Sequence, residues 1–299
     1  MEIKYNMPLA KYTSYKVGGA AKIYFKPENL SELVMFIKQL PVNEKLLWLG
    51  LGSNVLIRDG GFDGAVIHIK NVLNDLTIIK LDVNGLLIKI GAGVSCAKLA
   101  KFCVEHNLGE GIWFAGIPGT IGGALHMNAG AFKGETWEHV ISVEVIDRYG
   151  KISIKYPAEY NISYRSAIIL GNLKDDKQSE WFVGATLWFK FTNTTSQNLQ
   201  KELNLLLQAR KDTQPIGTLN CGSVFKNPAN NAAGKLIEAA QLKGKKLGNA
   251  VISEKHANFI INLGTATATD IESLIKFVQH EIFKKYNIML EPEVKIIGK

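Results

Sequence analysis

The sequence predicts an α+β protein, with many strands in the first two-thirds and helices alternating with strands in the last third. Short apolar segments with strand character recur up to about residue 191, and long segments with helical periodicity follow residue 195. The 28 glycines cluster between these apolar segments instead of forming linkers. Because 299 residues lie near the upper limit for one hydrophobic core, we expect two or three domains, with a boundary near residue 195.

The first part of the chain is predicted to contain two longer helices and one short helix. One covers about 29–40, and the other covers about 96–107 with Ser95 as its cap and Gly109 as a left-handed residue beyond its end. Thr120 can cap a further short helix that includes Gly122 and Gly123. Strands are expected at about 22–26, 46–49, 65–70, 76–81, 86–90, 140–146, 151–155 and 181–191.

The last third is predicted from periodicity and capping residues. Ser196 can cap a helix through about Lys211, whose inward face is formed by Leu199, Leu203, Leu206 and Leu207. Thr269 and Glu272 predict a capping box for a helix over about 270–286. A helix over 231–240 and strands over 257–263 and 289–297 complete the pattern. The sequence leaves open which domain the final strand joins.

Composition excludes several classes of protein. The net charge is +8, but only four residues are arginine and no run of five basic residues occurs, so nucleic-acid binding is not indicated. No stretch approaches 18 apolar residues, and the first residues lack a secretory signal. Three cysteines cannot form a disulfide framework, so we expect reduced thiols in the cytoplasm. His126 and His256 lack the spacing of a zinc site, and no metal is expected.

Two glycine-rich stretches are candidates for phosphate binding. The first, GLGSN at 50–54, follows a strand and exposes successive backbone N–H groups, although a tight hairpin would have the same composition. It does not match GxGxxG, and the chain continues as a strand. The second stretch, residues 115–131, holds five glycines in its first 16 residues and almost no charge. Bare N–H groups at the start of its short helix could receive a phosphate, the alternative being a buried glycine-rich crossover.

Three further segments carry polar groups suited to catalysis. Arg165, between Tyr164 and Ser166, could pair with a carboxylate or an enolate, or form a surface salt bridge. Ser223 follows Gly222, which permits a strained backbone; without GxSxG the hydroxyl suits a proton donor better than an acyl nucleophile, and a plain turn is the alternative. Glu293 shares a strand face with Lys295, which an ordinary edge strand would also show.

Taken in order, the motifs resemble the UDP-N-acetylenolpyruvoylglucosamine reductase family, and the similarity runs nearly from end to end. The sequence lacks the insertion that carries an additional tyrosine, and in this respect it resembles the shorter subtype of the family. The matching segments are TSYKVGG (13–19), GLGSNVLI (50–57), AGIPGTIGGALHMNAGA (115–131), YRSA (164–167), QPIGTLNCGSVFKNP (214–228), GKLIEAA (234–240), SEKHANFIIN (253–262) and LEPEVKIIG (290–298).

The resemblance implies a fold, a cofactor and a reaction. It implies a two-subdomain FAD-binding fold of the vanillyl-alcohol-oxidase type over 1–195 (about 1–70 and 71–195), an α/β substrate-binding domain over 196–286, and a terminal strand over 287–299. NADPH would reduce noncovalently bound FAD, and the enolpyruvyl nucleotide would then accept hydride to give UDP-N-acetylmuramate for peptidoglycan synthesis and cell-wall biogenesis. A covalent flavin link through His126 is not expected, and we expect a monomer that binds neither nucleic acid nor membrane.

The resemblance also assigns roles to residues. Arg165 would pair with the substrate carboxylate, Glu293 would help polarise the enolate, and Ser223 would deliver the proton. Tyr164, Lys226, Asn227 and Lys235 are candidates for binding the UDP-sugar. Cofactor binding is expected of Gly50, Gly52, Ser53, Asn54, Gly116, Pro118, Gly119, Thr120, Gly122, Gly123, Asn128 and Ala129.

The sequence leaves one cofactor contact and one alternative function open. Phe132 stands where relatives often have tyrosine, which leaves the FAD contacts there undefined. An FAD-dependent oxidase of a small alcohol or sugar on the same fold is the alternative function.

Overall fold

The chain packs into two compact units in a computed structural model that describes residues 2–170 and 180–299. Unit 1 comprises Met1–Ile3, Phe25–Gly50 and Ile67–Ala209. Unit 2 comprises Lys4–Tyr24, Leu51–Val66 and Arg210–Lys299. Two segments from the first third of the chain therefore pack with its C-terminal part. The predicted functional domains, with boundaries at 195 and 286, stay a prediction.

The helices lie close to their predicted positions. In the described part of the chain they are α1 (Leu30–Gln39), α2 (Cys96–Glu105), α3 (Ile121–Met127), α4 (Ser196–Thr213), α5 (Ala233–Ala239) and α6 (Ala268–Tyr286). Local capping explains where α1 and α2 begin. The Asn29 side chain accepts the N–H of Glu32 at 3.0 Å, and the Ser95 hydroxyl accepts that of Lys98 at 3.2 Å.

The strands are short and mostly antiparallel. Those within residues 2–170 and 180–299 are β1 (Ile3–Pro8), β2 (Ala20–Phe25), β3 (Leu46–Leu49), β4 (Val55–Ile57), β5 (Phe62–His68), β6 (Leu76–Leu81), β7 (Gly85–Gly91), β8 (Gly130–Ala131), β9 (Gly134–Glu135), β10 (Val140–Asp147), β11 (Ile152–Lys155), β12 (Tyr160–Ser163), β13 (Ser166–Ile169), β14 (Glu180–Lys190), β15 (Lys246–Leu247), β16 (Ala250–Ile252), β17 (Ile260–Asn262) and β18 (Lys295–Ile297). The mixture of helices and strands confirms the α+β class.

Unit 1 is built on an antiparallel sheet in the order β11-β10-β14-β7-β6. Its inward residues, such as Ile88, Val143 and Leu187, form one core with Leu99 of α2 and Leu125 of α3. Burial of this continuous apolar face stabilises the sheet and fixes the register of its strands.

Unit 2 has a separate core beneath α6. Ile271, Leu274 and Val278 of that helix pack with buried residues that include Val224 and Val294. The sheet β15-β16-β17 is antiparallel, whereas β18 pairs in parallel with β4, with Lys295 opposite Val55. This pairing places the terminal strand in unit 2, the point that the sequence left open. The strand is shorter than predicted and begins only after Glu293.

Two predicted helix boundaries are wrong. The left-handed residue after α2 is Asn107, at φ +58°, not Gly109, which opens a 3₁₀ segment over Gly109–Gly116. Asparagine tolerates this conformation, so no glycine is required. The capping box of α6 is formed by Thr267 and Asp270, because the helix begins two residues earlier than predicted.

The start and the inward face of α4 also differ from prediction. Its first turn is capped by Thr195, whose hydroxyl accepts the N–H of Asn198 at 3.3 Å, not by Ser196. Leu199 and Leu203 are buried as predicted, but Leu207 is 40% exposed. In the described residues, no helix is both long enough and apolar enough to span a bilayer.

Candidate active site

The hydroxyl of Thr120 is the clearest sign of a ligand in unit 1. Thr120 is 3% exposed, and its Oγ1 is buried without a hydrogen-bond partner in the described residues. A Cβ at Gly50 would lie 2.5 Å from this oxygen, and a Cβ at Gly123 would meet only this oxygen, at 3.9 Å. A buried hydroxyl without a partner costs free energy. One glycine from each predicted phosphate-binding stretch thus lies beside a buried hydroxyl that no described residue bonds.

The start of α3 is less open than the sequence predicts. Thr120 has the extended backbone of a capping residue but makes no side-chain cap. The N–H of Ile121 donates to the carbonyl of Val94 at 2.9 Å, and that of Gly122 donates to Ala92 at 2.8 Å. The expectation of bare amides is therefore wrong for these two residues, because a neighbouring loop of unit 1 already uses them.

Other glycines of the second stretch are required by the packing of the chain itself. A Cβ at Gly116 would lie 2.8 Å from the Ala131 Cβ, and one at Gly122 would lie 3.1 Å from the Ala92 Cβ. Pro118 and Gly119 form the bend before α3, where the N–H of Gly119 donates to the carbonyl of Ile117 at 2.9 Å. Contact with a cofactor stays a prediction for these residues.

The remainder of the first stretch belongs to unit 2. Gly52 has φ +71°, and a Cβ there would lie 2.1 Å from the carbonyl oxygen of Tyr12. Only glycine fits such a position. Ser53 and Asn54 form the following turn. The side-chain amide of Asn54 donates to the Glu293 carbonyl at 3.1 Å, which ties this stretch to the segment before β18.

Asn128 and Ala129 are used largely by the protein itself. The Asn128 side chain donates to Glu135 at 2.9 Å and to the Ser163 carbonyl at 3.2 Å, and it accepts the N–H of Trp137 at 3.2 Å. The carbonyl of Ala129 accepts both the N–H and the hydroxyl of Thr136. Asn128 thus links the end of α3 to β12, a role that the sequence alone did not indicate.

Arg165 lies in the tight turn between β12 and β13, a hairpin that the sequence patterns missed. Ser163 pairs with Ser166, so Tyr164 and Arg165 form the turn, and Arg165 has φ +57°. Its Nη2 donates to the Gly130 carbonyl at 3.4 Å, and its guanidinium lies 4.8 Å from the centre of the half-exposed Tyr164 ring. A bulky residue in the left-handed region is uncommon and strained, which is frequent at functional sites.

Ser223 and Glu293 lie on paired segments of unit 2. The N–H of Glu293 donates to the Val224 carbonyl at 2.7 Å, and the N–H of Lys226 donates to the Glu291 carbonyl at 2.9 Å. Gly222 has φ +75°, as expected for the residue before Ser223. The backbone segments that carry two of the three predicted catalytic residues, Ser223 and Glu293, are thus adjacent. Arg165 belongs to unit 1, and its proximity to them stays a prediction.

The predicted substrate-binding residues in unit 2 have different surroundings. The Lys226 ammonium pairs with Glu291 at 2.6 Å, and its side chain is 20% exposed. The Asn227 side-chain oxygen accepts the N–H of Ala233 at 3.0 Å and so caps α5. Lys235 lies exposed on α5. All three side chains carry N–H groups that could donate hydrogen bonds to an anionic nucleotide.

Cys221 is unsuited to nucleophilic chemistry, although it lies near Ser223. It is buried, and burial raises the pKa of its thiol to about 12. At neutral pH it is therefore a thiol that packs in the core of unit 2. Among the described residues, no group of three or more His, Cys, Asp or Glu side chains could hold a metal ion.

Comparison with protein families defines the class of protein. Residues 21–154 match the model of an FAD binding domain, which includes Gly50 and the whole 115–131 stretch. The Thr120 hydroxyl and the open side of Gly123 fit such a cofactor. These residues thus form an FAD-binding domain, and the chain is a flavoprotein with FAD as its cofactor.

Comparison with individual proteins identifies the family. UDP-N-acetylenolpyruvoylglucosamine reductases of Coxiella burnetii (strain Dugway 5J108-111) and Legionella pneumophila (strain Paris) are 47% and 49% identical, over 98% of this chain and 94% and 93% of their own lengths. Residues 214–297 match the C-terminal domain of UDP-N-acetylenolpyruvoylglucosamine reductase. The Thermus caldophilus reductase structure matches with a TM-score of 0.76 at 29% identity, covering 99% of this chain and 98% of that one. The chain belongs to the UDP-N-acetylenolpyruvoylglucosamine reductase family.

The comparisons therefore confirm the family, the FAD-dependent oxidoreductase class and the role in peptidoglycan precursor synthesis that the sequence motifs predicted. They favour this reductase over the alternative, an oxidase of a small alcohol or sugar. The enolpyruvyl derivative of a UDP-sugar is the substrate class, and a nicotinamide nucleotide is the co-substrate.

Proposed function

We propose that this chain reduces UDP-N-acetylglucosamine enolpyruvate to UDP-N-acetylmuramate, and that Arg165, Ser223 and Glu293 carry the charge and proton steps. When bound, FAD supplies the hydride that the terminal alkene carbon accepts. Negative charge then develops on the carbon beside the carboxylate, and the chain must stabilise this charge and protonate that carbon.

Arg165 is suited to hold the substrate carboxylate. A guanidinium can donate two parallel hydrogen bonds to a carboxylate, and such charge-assisted pairs are stronger than neutral ones. The hairpin turn, the Gly130 carbonyl and the Tyr164 ring restrict the orientation of the Arg165 side chain before substrate arrives. The strained φ of +57° supports a functional reason for arginine at this position.

Ser223 and Glu293 are suited to complete the proton transfer. Transfer breaks the Oγ–H bond of Ser223, forms a C–H bond at the carbon beside the carboxylate, and leaves an alkoxide that water reprotonates. A protonated Glu293 would donate a hydrogen bond to the enolate oxygen. The observation that carries the proposal is the 2.7 Å bond from the N–H of Glu293 to the carbonyl of Val224, the neighbour of Ser223.

We assign binding of the nucleotide to Lys226, Asn227, Lys235 and Tyr164. Lys226 has an ammonium that anionic oxygens of the UDP group could share with Glu291. Asn227 could donate through its side-chain amide while its oxygen caps α5. Lys235 lies on the same helix, and Tyr164 offers an exposed aromatic ring.

The proposal is tested by separating the two half-reactions in Ser223→Ala. Anaerobic mixing with NADPH should bleach the flavin at the wild-type rate, because Ser223 takes no part in that step. Reoxidation by UDP-N-acetylglucosamine enolpyruvate should be about 10²- to 10⁴-fold slower, the usual contribution of a positioned acid. Ser273→Ala, on the exposed face of α6, is the matched control and should alter neither rate. Equal slowing of both half-reactions would contradict the role of Ser223.

We further propose that the enzyme is a cytoplasmic monomer. The three cysteines are free and buried, which suits a reducing compartment. Light scattering of the flavin-loaded protein should give the mass of a single 33.0 kDa chain. A mass of twice that value at micromolar concentration would contradict the monomer.

A further inference from the structure

We propose that Asn258 is a positioning residue that sets the place of the Ser223 hydroxyl relative to Glu293. The proposal rests on the proposed role of Ser223 as proton donor. Asn258 lies in the SEKHANFIIN segment, which the mechanism does not otherwise use, and it is 4% exposed.

The Asn258 side chain acts as a strand partner for Phe225. Its Oδ1 accepts the N–H of Phe225 at 3.0 Å, and its Nδ2 donates to the carbonyl of Phe225 at 2.8 Å. The Asn258 backbone carbonyl also accepts the N–H of Val224 at 2.9 Å. One buried residue therefore satisfies three of the four backbone polar groups of Val224 and Phe225.

The other side of the same segment is bonded to the residues around Glu293. The Val224 carbonyl accepts the N–H of Glu293, and the Glu291 carbonyl accepts the N–H of Lys226. Residues 224–226 are thus held between Asn258 and the 291–293 segment. Ser223 is the first residue beyond this bonded segment and follows Gly222, whose φ of +75° permits a sharp change of direction. Rotation of the segment would move the Ser223 hydroxyl, and Asn258 opposes that rotation.

An amide is required because its two ends have opposite polarity. In Asn258→Asp, one carboxylate oxygen could still accept the Phe225 N–H. The other oxygen would face the Phe225 carbonyl, where two acceptors repel each other. The variant keeps the size of the side chain, so it perturbs the orientation of the segment more than its packing.

The test measures both half-reactions per bound flavin in Asn258→Asp and in Asn258→Ser. Flavin reduction by NADPH should stay within about twofold of wild type, since Ser223 takes no part in it. Reoxidation by UDP-N-acetylglucosamine enolpyruvate should slow by up to the order of 10²-fold, the effect of a small misplacement of a reacting group. The solvent deuterium isotope effect on reoxidation should rise, because a misplaced donor makes proton transfer limiting.

Asn262→Asp is the matched control. Asn262 is also 4% exposed in unit 2, but its amide donates to the Tyr15 carbonyl at 2.7 Å, whereas that of Asn258 donates to the Phe225 carbonyl. This variant should lose stability without a rise in the isotope effect. If Asn258→Asp and Asn262→Asp have the same kinetics, Asn258 has only a structural role and the proposal is overturned.

A double variant separates this inference from the proposed function. If Asn258 acts through Ser223, the Ser223→Ala/Asn258→Ser enzyme should reoxidise as slowly as Ser223→Ala alone. Additive slowing would overturn the positioning role while leaving Ser223 as the donor. If Ser223→Ala reoxidises at the wild-type rate, the proton-donor role fails, and the positioning role fails with it.

Discussion

Replacing Thr120 with valine should stabilise the flavin-free protein and at the same time weaken FAD binding. Valine has the same shape as threonine but lacks the hydroxyl. In the chain itself the Thr120 Oγ1 is buried and bonded to nothing in the described residues. Its removal therefore breaks no bond in the protein and relieves a desolvation cost of roughly 1–3 kcal/mol. We expect the free energy of unfolding of the apoprotein to rise by about 1 kcal/mol, the lower end of that range.

The effect on the cofactor has the opposite sign. A hydrogen bond from a hydroxyl to a charged phosphate contributes about 1.5–3 kcal/mol. At 1.4 kcal/mol per factor of ten, its loss should raise the dissociation constant of FAD by roughly 10- to 100-fold. The apoprotein is measured by urea denaturation, and FAD affinity is measured by titration of flavin fluorescence.

Thr136→Val is the matched control for Thr120→Val. Thr136 is fully buried in unit 1, but its hydroxyl donates to the Ala129 carbonyl at 2.7 Å. Its replacement should destabilise the apoprotein by about 1 kcal/mol, the typical net value of such a bond, and leave FAD affinity unchanged. If Thr120→Val destabilises the apoprotein in the same way and binds FAD normally, then the hydroxyl of Thr120 does not face the cofactor.

Two further substitutions test other parts of the structure. Hydrogen bonds from Arg58 lower the pKa of Glu272 to about 2, so the stability that this carboxylate contributes is present above pH 4.5 and lost as pH falls towards 2. The Arg58 side chain is 40% exposed, so solvent screens the pair. Glu272→Gln should therefore lower the free energy of unfolding by only about 1 kcal/mol at pH 7, and by almost nothing near pH 2, in urea titrations. An equal loss at both pH values would exclude a contribution from the ion pair. Arg165→Asn should keep the melting temperature, since asparagine tolerates a positive φ, while kcat/KM falls on the order of 10³-fold; a destabilised enzyme with normal kcat/KM would show that the arginine is only structural.

Local features of this fold followed from the sequence because their causes lie within a few residues. Asn29 and Ser95 cap helices through bonds to the third residue beyond them, so the composition of each segment identifies the start of its helix. The strand that begins at Val55, three residues after Gly52, also has its cause within a few residues. The order of the motifs also identified the family, which the relatives of 47% and 49% identity confirm.

Predictions that depended on distant residues were less successful. Thr120 was predicted to cap α3, but its hydroxyl is free of that role because Val94 and Ala92 supply carbonyls to the first N–H groups of the helix. Thr269 and Glu272 were predicted to form a capping box, whereas their side chains bond to Asp59 and Arg58, more than 200 residues away along the chain. No pattern within one segment reports such partners.

The sequence by itself determined the class of fold and most helix starts, since these depend on local backbone preference and on side-chain type. Only the tertiary structure decided where the terminal strand pairs, that Asn258 supports the segment after Ser223, and that Thr120 keeps an unbonded hydroxyl. The physical reason is that a hydrogen bond depends on distance and direction between two groups in space. When those groups are far apart along the chain, their meeting is set by the packing of the whole unit.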